Sequence, residues 1–247
     1  MWIPSWLGHV YSNLFDEFEK ETFTFSQAAE SLGFGTNKLA VAFSKLHSVR
    51  LLTVFERGRP RTYRIVDPTI FTFLACDTAQ DVKKIRQERY LPLLLSSLKA
   101  ALKRFSVQSF AVYGSVARGR ATQTSDVDII ILSSDFQGSI GSRIELLMTI
   151  EDSSQEELSW LRRHGIHTGL GFHPLRNDEA KRLPNLFLDL TEDAAILYDS
   201  DRFLEELLTE LKAKLIAQGA SRVFLDRDRW YWDLKPRQRP GETVAAP

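Results

Sequence analysis

Two short apolar runs, Val107–Tyr113 and Val127–Leu132, constrain the fold of this chain more than any other feature of its sequence. Each has the length and composition of a β-strand. Helical patterns precede and follow them, from about Ala79 to Phe105 and from about Ile140 to Arg163. A further strand is expected from Ile166 to Phe172. This alternation of strands and helices predicts an α+β fold in which helices flank a mixed sheet.

The segments around these patterns complete the expected layout. Pro92 should kink or restart the first long helix. Ala195–Tyr198 predicts a short strand and Phe203–Ala217 predicts a closing helix, whereas Asn185–Leu190 is ambiguous. The C-terminal tail is aromatic at 230–232 and then proline-rich. Its aromatic cluster would either stack on a base or substrate or pin the tail to its own domain.

The first 75 residues predict three helices followed by a hairpin. Thr24 and Gln27 match a capping box, and Gly33 is suited to end the helix that follows. The expected order is a helix around 7–18, a helix at 25–32, a helix that Thr36 caps, and strands at 51–55 and 61–66. These elements predict a winged helix-turn-helix domain. The segment from Pro68 to Asp77 is expected to join it to the next domain.

Basic side chains are concentrated between the third helix and the hairpin. From Lys38 to Arg64 the sequence has seven basic residues and one acid, Glu56. The whole chain carries 32 basic and 32 acidic side chains, so only a local patch of this kind can bind nucleic acid. The third helix would lie in the major groove of duplex DNA and the hairpin along its phosphates, unless the region docks a protein or is merely solvated. The candidate DNA contacts are Lys38, Lys45, Arg57, Arg59 and Arg61.

The stretch that carries chemistry joins the two apolar strands. Gly114 and Ser115 follow the first strand, and Asp126 and Asp128 stand ten residues later, at the start of the second. Glycine lets a ligand approach the backbone, and a serine hydroxyl at a helix start suits a phosphate. Residues two apart in a strand share a face, so both carboxylates can hold Mg²⁺ or Mn²⁺ that bridges a triphosphate. Arg118, within one turn of Ser115, would neutralise phosphate charge.

The arrangement of Gly114-Ser115, ten residues and Asp126-Val127-Asp128 resembles the signature of the DNA polymerase β nucleotidyltransferase superfamily, and within it the minimal nucleotidyltransferases. The resemblance covers residues from about 80 to 217. It implies transfer of a nucleotidyl group from a nucleoside triphosphate, expected to be ATP, with Gly114 and Ser115 on the phosphates. Asp126 and Asp128 are then the catalytic, metal-binding residues. A winged helix ahead of such a domain also resembles the layout of uncharacterised archaeal proteins.

Many members of that superfamily carry a third carboxylate on a later strand, where it helps to activate the attacking hydroxyl. The strand expected at 166–172 contains no acid. His167 and His173 are candidates for that place, and Asp189 and Asp193 are alternative acids further along the chain. Each of these side chains is also compatible with an ordinary structural role.

Two functions are expected from the sequence. The first is a magnesium-dependent nucleotidyltransferase with domains at 1–75 and 76–218 and a tail at 219–247, acting on a hydroxyl of a protein, an RNA end or a small molecule. The second is a DNA-binding transcription regulator whose nucleotidyltransferase-like domain senses a nucleotide or docks a protein partner without catalysis. The single cysteine, Cys76, and the lack of an apolar run of about 20 residues predict a cytoplasmic protein without a membrane partner.

Overall fold

The computed structural model describes residues 3–227 and 229–234. The proline-rich end of the tail lies outside these residues. Within them, no helix combines the length and the apolar character that crossing a bilayer requires.

The N-terminal part consists of three helices and a small antiparallel sheet. Its elements are α1 (Ser5–Phe18), β1 (Thr22–Thr24), α2 (Phe25–Leu32), α3 (Thr36–Ser48), β2 (Leu52–Glu56) and β3 (Thr62–Ile65), with the strand order β1-β3-β2. The expected helices and hairpin are present, and so are the capping box at Thr24 and the left-handed cap at Gly33. Strand β1 is too short to show a periodicity in the sequence. Gly35, rather than the expected Thr36, is the N-cap of α3.

The rest of the chain is built on a four-stranded mixed sheet. Its elements are α4 (Pro68–Ala75), α5 (Leu91–Arg104), β4 (Val107–Tyr113), α6 (Gly114–Arg118), β5 (Val127–Ser133), α7 (Ile140–Arg163), β6 (Leu170–Leu175), α8 (Asn177–Ala180), α9 (Leu186–Asp193), β7 (Ala195–Asp199), α10 (Phe203–Gln218), β8 (Ser221–Phe224) and β9 (Trp230–Asp233). The sheet order is β6-β5-β4-β7, with β5 and β6 parallel and the other neighbours antiparallel. Strands β8 and β9 form a separate hairpin. A mixed sheet flanked by helices is the predicted α+β fold.

The segment between the hairpin and α5 differs from the expectation. The expected junction is helix α4, which Asp67 caps because its carboxylate accepts the N–H of Thr69 at 2.7 Å. The long helix expected from about Ala79 is α5 alone, which begins at Leu91 with Pro92 in its first turn. Proline has no N–H to donate and is accommodated in a first turn, so the helix restarts there.

Strand β6 begins four residues later than the expected start at Ile166. The residues before it are bound to the loop that precedes β5. The N–H of His167 donates to the carbonyl of Gln123 at 2.7 Å, and the hydroxyl of Thr168 donates to the carbonyl of Ser125 at 2.8 Å. These hydrogen bonds give His167 and Thr168 polar partners outside the sheet, so the strand begins only after them. The ambiguous stretch after Pro184 is helix α9.

Different helices cover the two faces of the four-stranded sheet. Helices α5 and α7 pack on the face that carries Phe110 and Ile129, and this apolar cluster continues into the N-terminal part. Helices α9 and α10 pack on the face that carries Ala111 and Ile130. Successive residues of β4 and β5 therefore belong to different clusters, as the period of a strand requires. The larger cluster crosses the expected domain boundary at residue 75, which stays a prediction.

A buried ion pair joins β3 to α7 across that boundary. The guanidinium of Arg64, 3% exposed, donates to both carboxylate oxygens of Glu157 at 2.8 and 2.9 Å. Its Nε–H donates to the carbonyl of Lys20 at 2.8 Å, and its Cζ atom lies 3.7 Å from the ring centroid of Trp160. Arg64 therefore belongs to the interior, although the sequence counts it with the basic patch.

Replacing Arg64 by alanine is expected to lower the free energy of unfolding by about 3–5 kcal/mol, because Glu157 is left buried without its partner. Denaturant titration measures this change. The matched control is Arg61→Ala, which removes an exposed arginine from the same hairpin and should change stability by less than about 0.5 kcal/mol. Equal effects of the two variants would contradict a structural role for the pair.

Candidate functional site

The candidate site lies where β4 ends and β5 begins. Tyr113, the last residue of β4, pairs with Asp128, which pairs on its other side with Gly171 of β6. Gly114 and Ser115 open α6 directly after Tyr113. The structure therefore brings the predicted Gly114, Ser115 and Asp128 to one corner of the sheet.

Gly114 is required at this corner by the position of the Asp128 carboxylate. A Cβ atom added to Gly114 would lie 2.1 Å from Oδ2 of Asp128, and the φ angle of Gly114 is +68°. Any side chain would therefore displace the carboxylate and strain the backbone as well. The glycine of the sequence motif serves to let an aspartate lie directly against the main chain.

Asp126 lies just before β5 and is exposed. Its Oδ1 accepts the N–H of Gly169 at 3.1 Å. A Cβ on Gly169 would be 3.4 Å from Asp126 Oδ1, and one on Gly171 would be 3.3 Å from Asp128 Oδ1. Glycines thus border both carboxylates, so neighbouring side chains do not cover them on these sides.

The environment of Asp128 disfavours its ionised form. Burial raises the pKa of Asp128, and the charge of Asp126 raises it further, while the charge of Arg118 lowers it. The pKa of Tyr113 rises to about 12 through burial and through the charge of Asp128. A half-buried carboxylate beside a second one is an oxygen-rich, under-neutralised environment that suits a hard divalent cation. The described residues contain no cluster of three or more metal-binding side chains, so phosphate and water would have to complete such a site.

Arg118 is held between the site and the C-terminal hairpin. Its guanidinium lies 3.4 Å from a carboxylate oxygen of Asp193 and 4.7 Å from the ring centroid of Trp230. The guanidinium of Arg222 lies 4.0 Å from the same ring and donates to Asp193 at 3.1 Å. Arg118 and Arg222 therefore contact the same indole ring and the same carboxylate. These contacts hold Arg118 in place.

The aromatic tail is pinned to α9. The indole N–H groups of Trp230 and Trp232 donate to the same oxygen of Asp189, at 2.8 and 2.9 Å. Tyr231 between them is exposed. Asp189 and Asp193, the alternative acids of the sequence analysis, therefore bind the tail and Arg222. Neither contacts Asp126 or Asp128 in any bond that the structure shows.

Strand β6, beside Asp128, contains a histidine and no carboxylate. Because β5 and β6 are parallel, Gly171 and His173 project from the same face as Asp128. Burial lowers the pKa of His173, which favours its neutral form. His167 is exposed and precedes the strand. Of the two expected histidines, only His173 shares the sheet face of the site.

Glu151 of α7 is an acid near the site that the motif does not indicate. Burial raises its pKa, and the charges of Asp152 and Asp126 raise it further. The coupling to Asp126 places Glu151 within electrostatic range of the site. A long amphipathic helix gives no sequence signal that one of its acids faces a distant loop.

The loop that carries Asp126 is fastened to the segment before α5. The side chain of Gln87 accepts the N–H and donates to the carbonyl of Ala121, both at 2.8 Å, and the hydroxyl of Tyr90 donates to the carbonyl of Thr122 at 3.1 Å. These bonds fix the course of the loop toward Asp126.

The residue after Gln87, Glu88, faces the N-terminal part. It is buried, accepts the N–H of Val54 at 2.8 Å, and pairs with Arg50 at 2.5 Å and with His47 at 2.9 Å. His47 and Arg50 therefore hold an internal carboxylate, although Arg50 is one of the seven basic residues between Lys38 and Arg64.

The five predicted DNA contacts are all exposed: Lys38, Lys45, Arg57, Arg59 and Arg61. The first two lie on α3, and the arginines lie in or beside the turn between β2 and β3. Arg57 also donates to the carbonyl of Arg86 at 3.2 Å. The structure therefore leaves these cations on the surface while it turns Arg50 and Arg64 inward.

Residues 95–182 match the family model of the nucleotidyltransferase domain, which belongs to the DNA polymerase β-like superfamily. The match runs from within α5 to just beyond α8, and it contains the Gly-Ser and Asp-Val-Asp segments. No curated protein matches the chain. The winged-helix fusion and the archaeal resemblance lie outside the matched residues and stay predictions.

Replacing Gly114 by alanine is expected to abolish the site geometry, because the new Cβ collides with Asp128. Gly219→Ala is the matched control: its φ of +71° is nearly the same, but nothing lies within 4 Å of its Cβ. Backbone strain alone should cost each variant about 1–2 kcal/mol of stability. We expect Gly114→Ala to lose more than the control in denaturant titration. Equal losses would show that the contact with Asp128 is not a constraint.

Proposed function

We propose that the chain transfers a nucleotidyl group from a nucleoside triphosphate, most simply ATP, to an acceptor hydroxyl with the help of Mg²⁺ or Mn²⁺. The observation that carries this proposal is the contact between Asp128 and the backbone of Gly114. It sets a carboxylate against a backbone position that has no side chain, and a second carboxylate, Asp126, lies two residues before Asp128 in the sequence. The match of residues 95–182 to the nucleotidyltransferase domain supports the same reaction class.

The residues present fit a divalent cation. Asp126 and Asp128 provide carboxylate oxygens, the ligands that Mg²⁺ prefers, and burial with like charge leaves Asp128 in need of a counter-charge. A bound Mg²⁺ would neutralise triphosphate charge and make the α-phosphorus easier to attack. Ser115 follows the glycine that admits Asp128, and its hydroxyl is the adjacent donor for phosphate oxygens.

Arg118 supplies a fixed positive charge beside this pair. It lowers the pKa of Asp128, so its field reaches the carboxylate, and its contacts with Asp193 and Trp230 limit its movement. In the proposed reaction Arg118 binds a phosphate oxygen of the departing pyrophosphate. The acceptor oxygen forms the new bond to the α-phosphorus as the bond to pyrophosphate breaks.

Deprotonation of the acceptor hydroxyl is the step of the proposed reaction that the residues of this chain support least. The position opposite Asp128 on β6 is Gly171, and His173 follows on the same face. General-base help is typically worth about 10²–10⁴ in rate. We therefore expect ATP binding of ordinary strength and slow transfer unless the acceptor or a partner supplies the base.

The N-terminal part is proposed to be a winged helix that binds duplex DNA. The exposed face of α3 carries Asn37, Lys38, Val41, Ser44 and Lys45, whose spacing places them on one stripe. The turn between β2 and β3 adds three exposed arginines. A polar, basic helix stripe beside a basic hairpin suits a major groove and its flanking phosphates.

A nucleotide-sensing regulator is the second candidate. The glycine at the place of a third acid favours it, because binding needs the two aspartates whereas fast catalysis needs a base. The two candidates share the same nucleotide site and differ in turnover.

Changing Asp126 and Asp128 together to asparagine is expected to weaken magnesium-dependent ATP binding by more than about tenfold, since both protein ligands of the cation are lost. Titration calorimetry with and without Mg²⁺ measures this. The same variant should melt at an equal or higher temperature at neutral pH, because a raised pKa means that ionised Asp128 destabilises the fold. This gain should vanish below about pH 4, where the Asp128 carboxyl is protonated in the folded parent as well. Retained binding would refute the site.

Changing Arg57, Arg59 and Arg61 to alanine is expected to flatten the salt dependence of duplex DNA binding by a slope of up to about 2.7, or about 0.9 for each lost phosphate contact. Fluorescence anisotropy over a range of salt concentrations measures the slope. The charge-matched control changes Lys103, Arg182 and Lys214, which are exposed elsewhere, and should leave the slope unchanged. Equal slopes for both triple variants would remove the hairpin from the DNA interface.

A further inference from the structure

We infer that a basic cleft beside α6 binds single-stranded nucleic acid. The cleft has a volume of about 510 Å³ and lies between the 3₁₀ turn Val82–Lys84, α6 and β8. This inference goes beyond the proposed function, because binding in the cleft requires no nucleotide transfer.

The charge of the cleft is strongly positive in a chain whose net charge is zero. Its lining contains six cations, Lys83, Lys84, Arg86, Arg118, Arg120 and Arg222, and two acids, Glu192 and Asp193. Asp193 pairs with Arg222 at 3.1 Å, and two ion pairs reach outside the lining, Glu192 with Lys212 at 3.0 Å and Lys84 with Asp81 at 2.7 Å. The excess of positive charge points to a polyanion as the ligand.

An exposed aromatic ring distinguishes a nucleic-acid strand from other polyanions. Phe224 lines the cleft, is 57% exposed, and has the guanidinium of Arg222 5.5 Å from its ring centroid. A large apolar ring beside cations is the combination on which bases stack while phosphates bind the charges. The volume is that of a small-ligand pocket, so it admits nucleotides of a single strand rather than a duplex.

The cleft lies next to a second cavity that the basic hairpin lines. Arg57 of the hairpin donates to the carbonyl of Arg86, and Arg86 lines both this cleft and a neighbouring one that reaches Val54 and Arg57. At its other end the cleft contains Arg118, the last residue of the helix that begins at Gly114 against Asp128. A strand bound here would run from the hairpin toward the candidate nucleotide site.

The test measures binding of a short fluorescein-labelled oligothymidylate, and of the matching oligouridylate, in EDTA and without nucleotide. We expect Phe224→Ala to weaken binding roughly tenfold through lost stacking. Lys83→Ala with Lys84→Ala should reduce the salt slope by about 1.4, or about 0.7 for each phosphate contact of a single strand. The matched controls are Leu225→Ala, an exposed neighbour outside the lining, and Lys103→Ala with Lys214→Ala; both should bind like the parent.

Several results would overturn the inference. One is the absence of oligonucleotide binding by the parent chain. Another is equal affinity of the Phe224 and Leu225 variants together with full competition by inorganic polyphosphate, which would indicate a general anion site. Displacement by oligoglutamate at equal charge would indicate an acidic protein segment. Loss of binding in the Arg57, Arg59 and Arg61 variant alone would place the strand on the hairpin.

Failure of this inference and failure of the proposed function can be separated. The variant with Asp126→Asn and Asp128→Asn should keep its affinity for the oligonucleotide, because neither aspartate lines the cleft. A chain that fails to bind ATP but shows the expected effects of Phe224 and the two lysines would lose the proposed function and keep the cleft. A chain that binds ATP as expected but does not show the effects of Phe224 and the two lysines would keep the proposed function and lose the cleft.

Discussion

The register between β4 and β5 is the constraint on which the candidate site depends. It sets Tyr113 opposite Asp128, and through Asp128 it brings Gly171 of β6 to the same corner. A slip of one residue would turn Asp128 toward the opposite face, where α5 and α7 cover the sheet and an unpaired charge would be costly. Buried residues of both strands, such as Ala111 opposite Ile130, hold the register from the two sides. The apolar core thereby fixes the position of a polar site.

A four-residue segment before α5 connects this corner to the N-terminal part. Glu88 is bound by Arg50 and by the backbone of β2, while Gln87 and Tyr90 hold the loop that leads to Asp126. Together with the pair of Arg64 and Glu157, these contacts pack the basic surface and the candidate nucleotide site into one body. A ligand on α3 or the hairpin is therefore close to groups that are bonded to the site loop. If both proposed ligands bind, this segment is the physical link through which they would influence each other.

Much of this arrangement is predictable from the sequence because its causes are local. The two apolar runs specify the central strands, and the capping box at Thr24 and the glycine at 33 specify the ends of α2. The motif indicates Gly114 and Asp128 together, although only the structure shows that the glycine is there to admit the carboxylate. The inward turn of Arg50 and Arg64 is not predictable, since their partners Glu88 and Glu157 are distant in the chain. The same holds for Asp189, whose bond to Trp230 depends on how the tail folds back onto α9.

Nucleotidyl transfer would carry the α-phosphorus of ATP to the acceptor, so the position of a radioactive label tests the proposed reaction. Incubation with Mg²⁺ and a mixture of protein and nucleic-acid acceptors, using ATP labelled at either the α- or the γ-phosphate, separates the reaction classes. We expect that the α-label becomes attached to an acceptor, that the γ-label leaves as pyrophosphate, and that both signals are lost when Asp126 and Asp128 are asparagine. Transfer of the γ-label, or α-label transfer that persists in that variant, would contradict the proposed reaction.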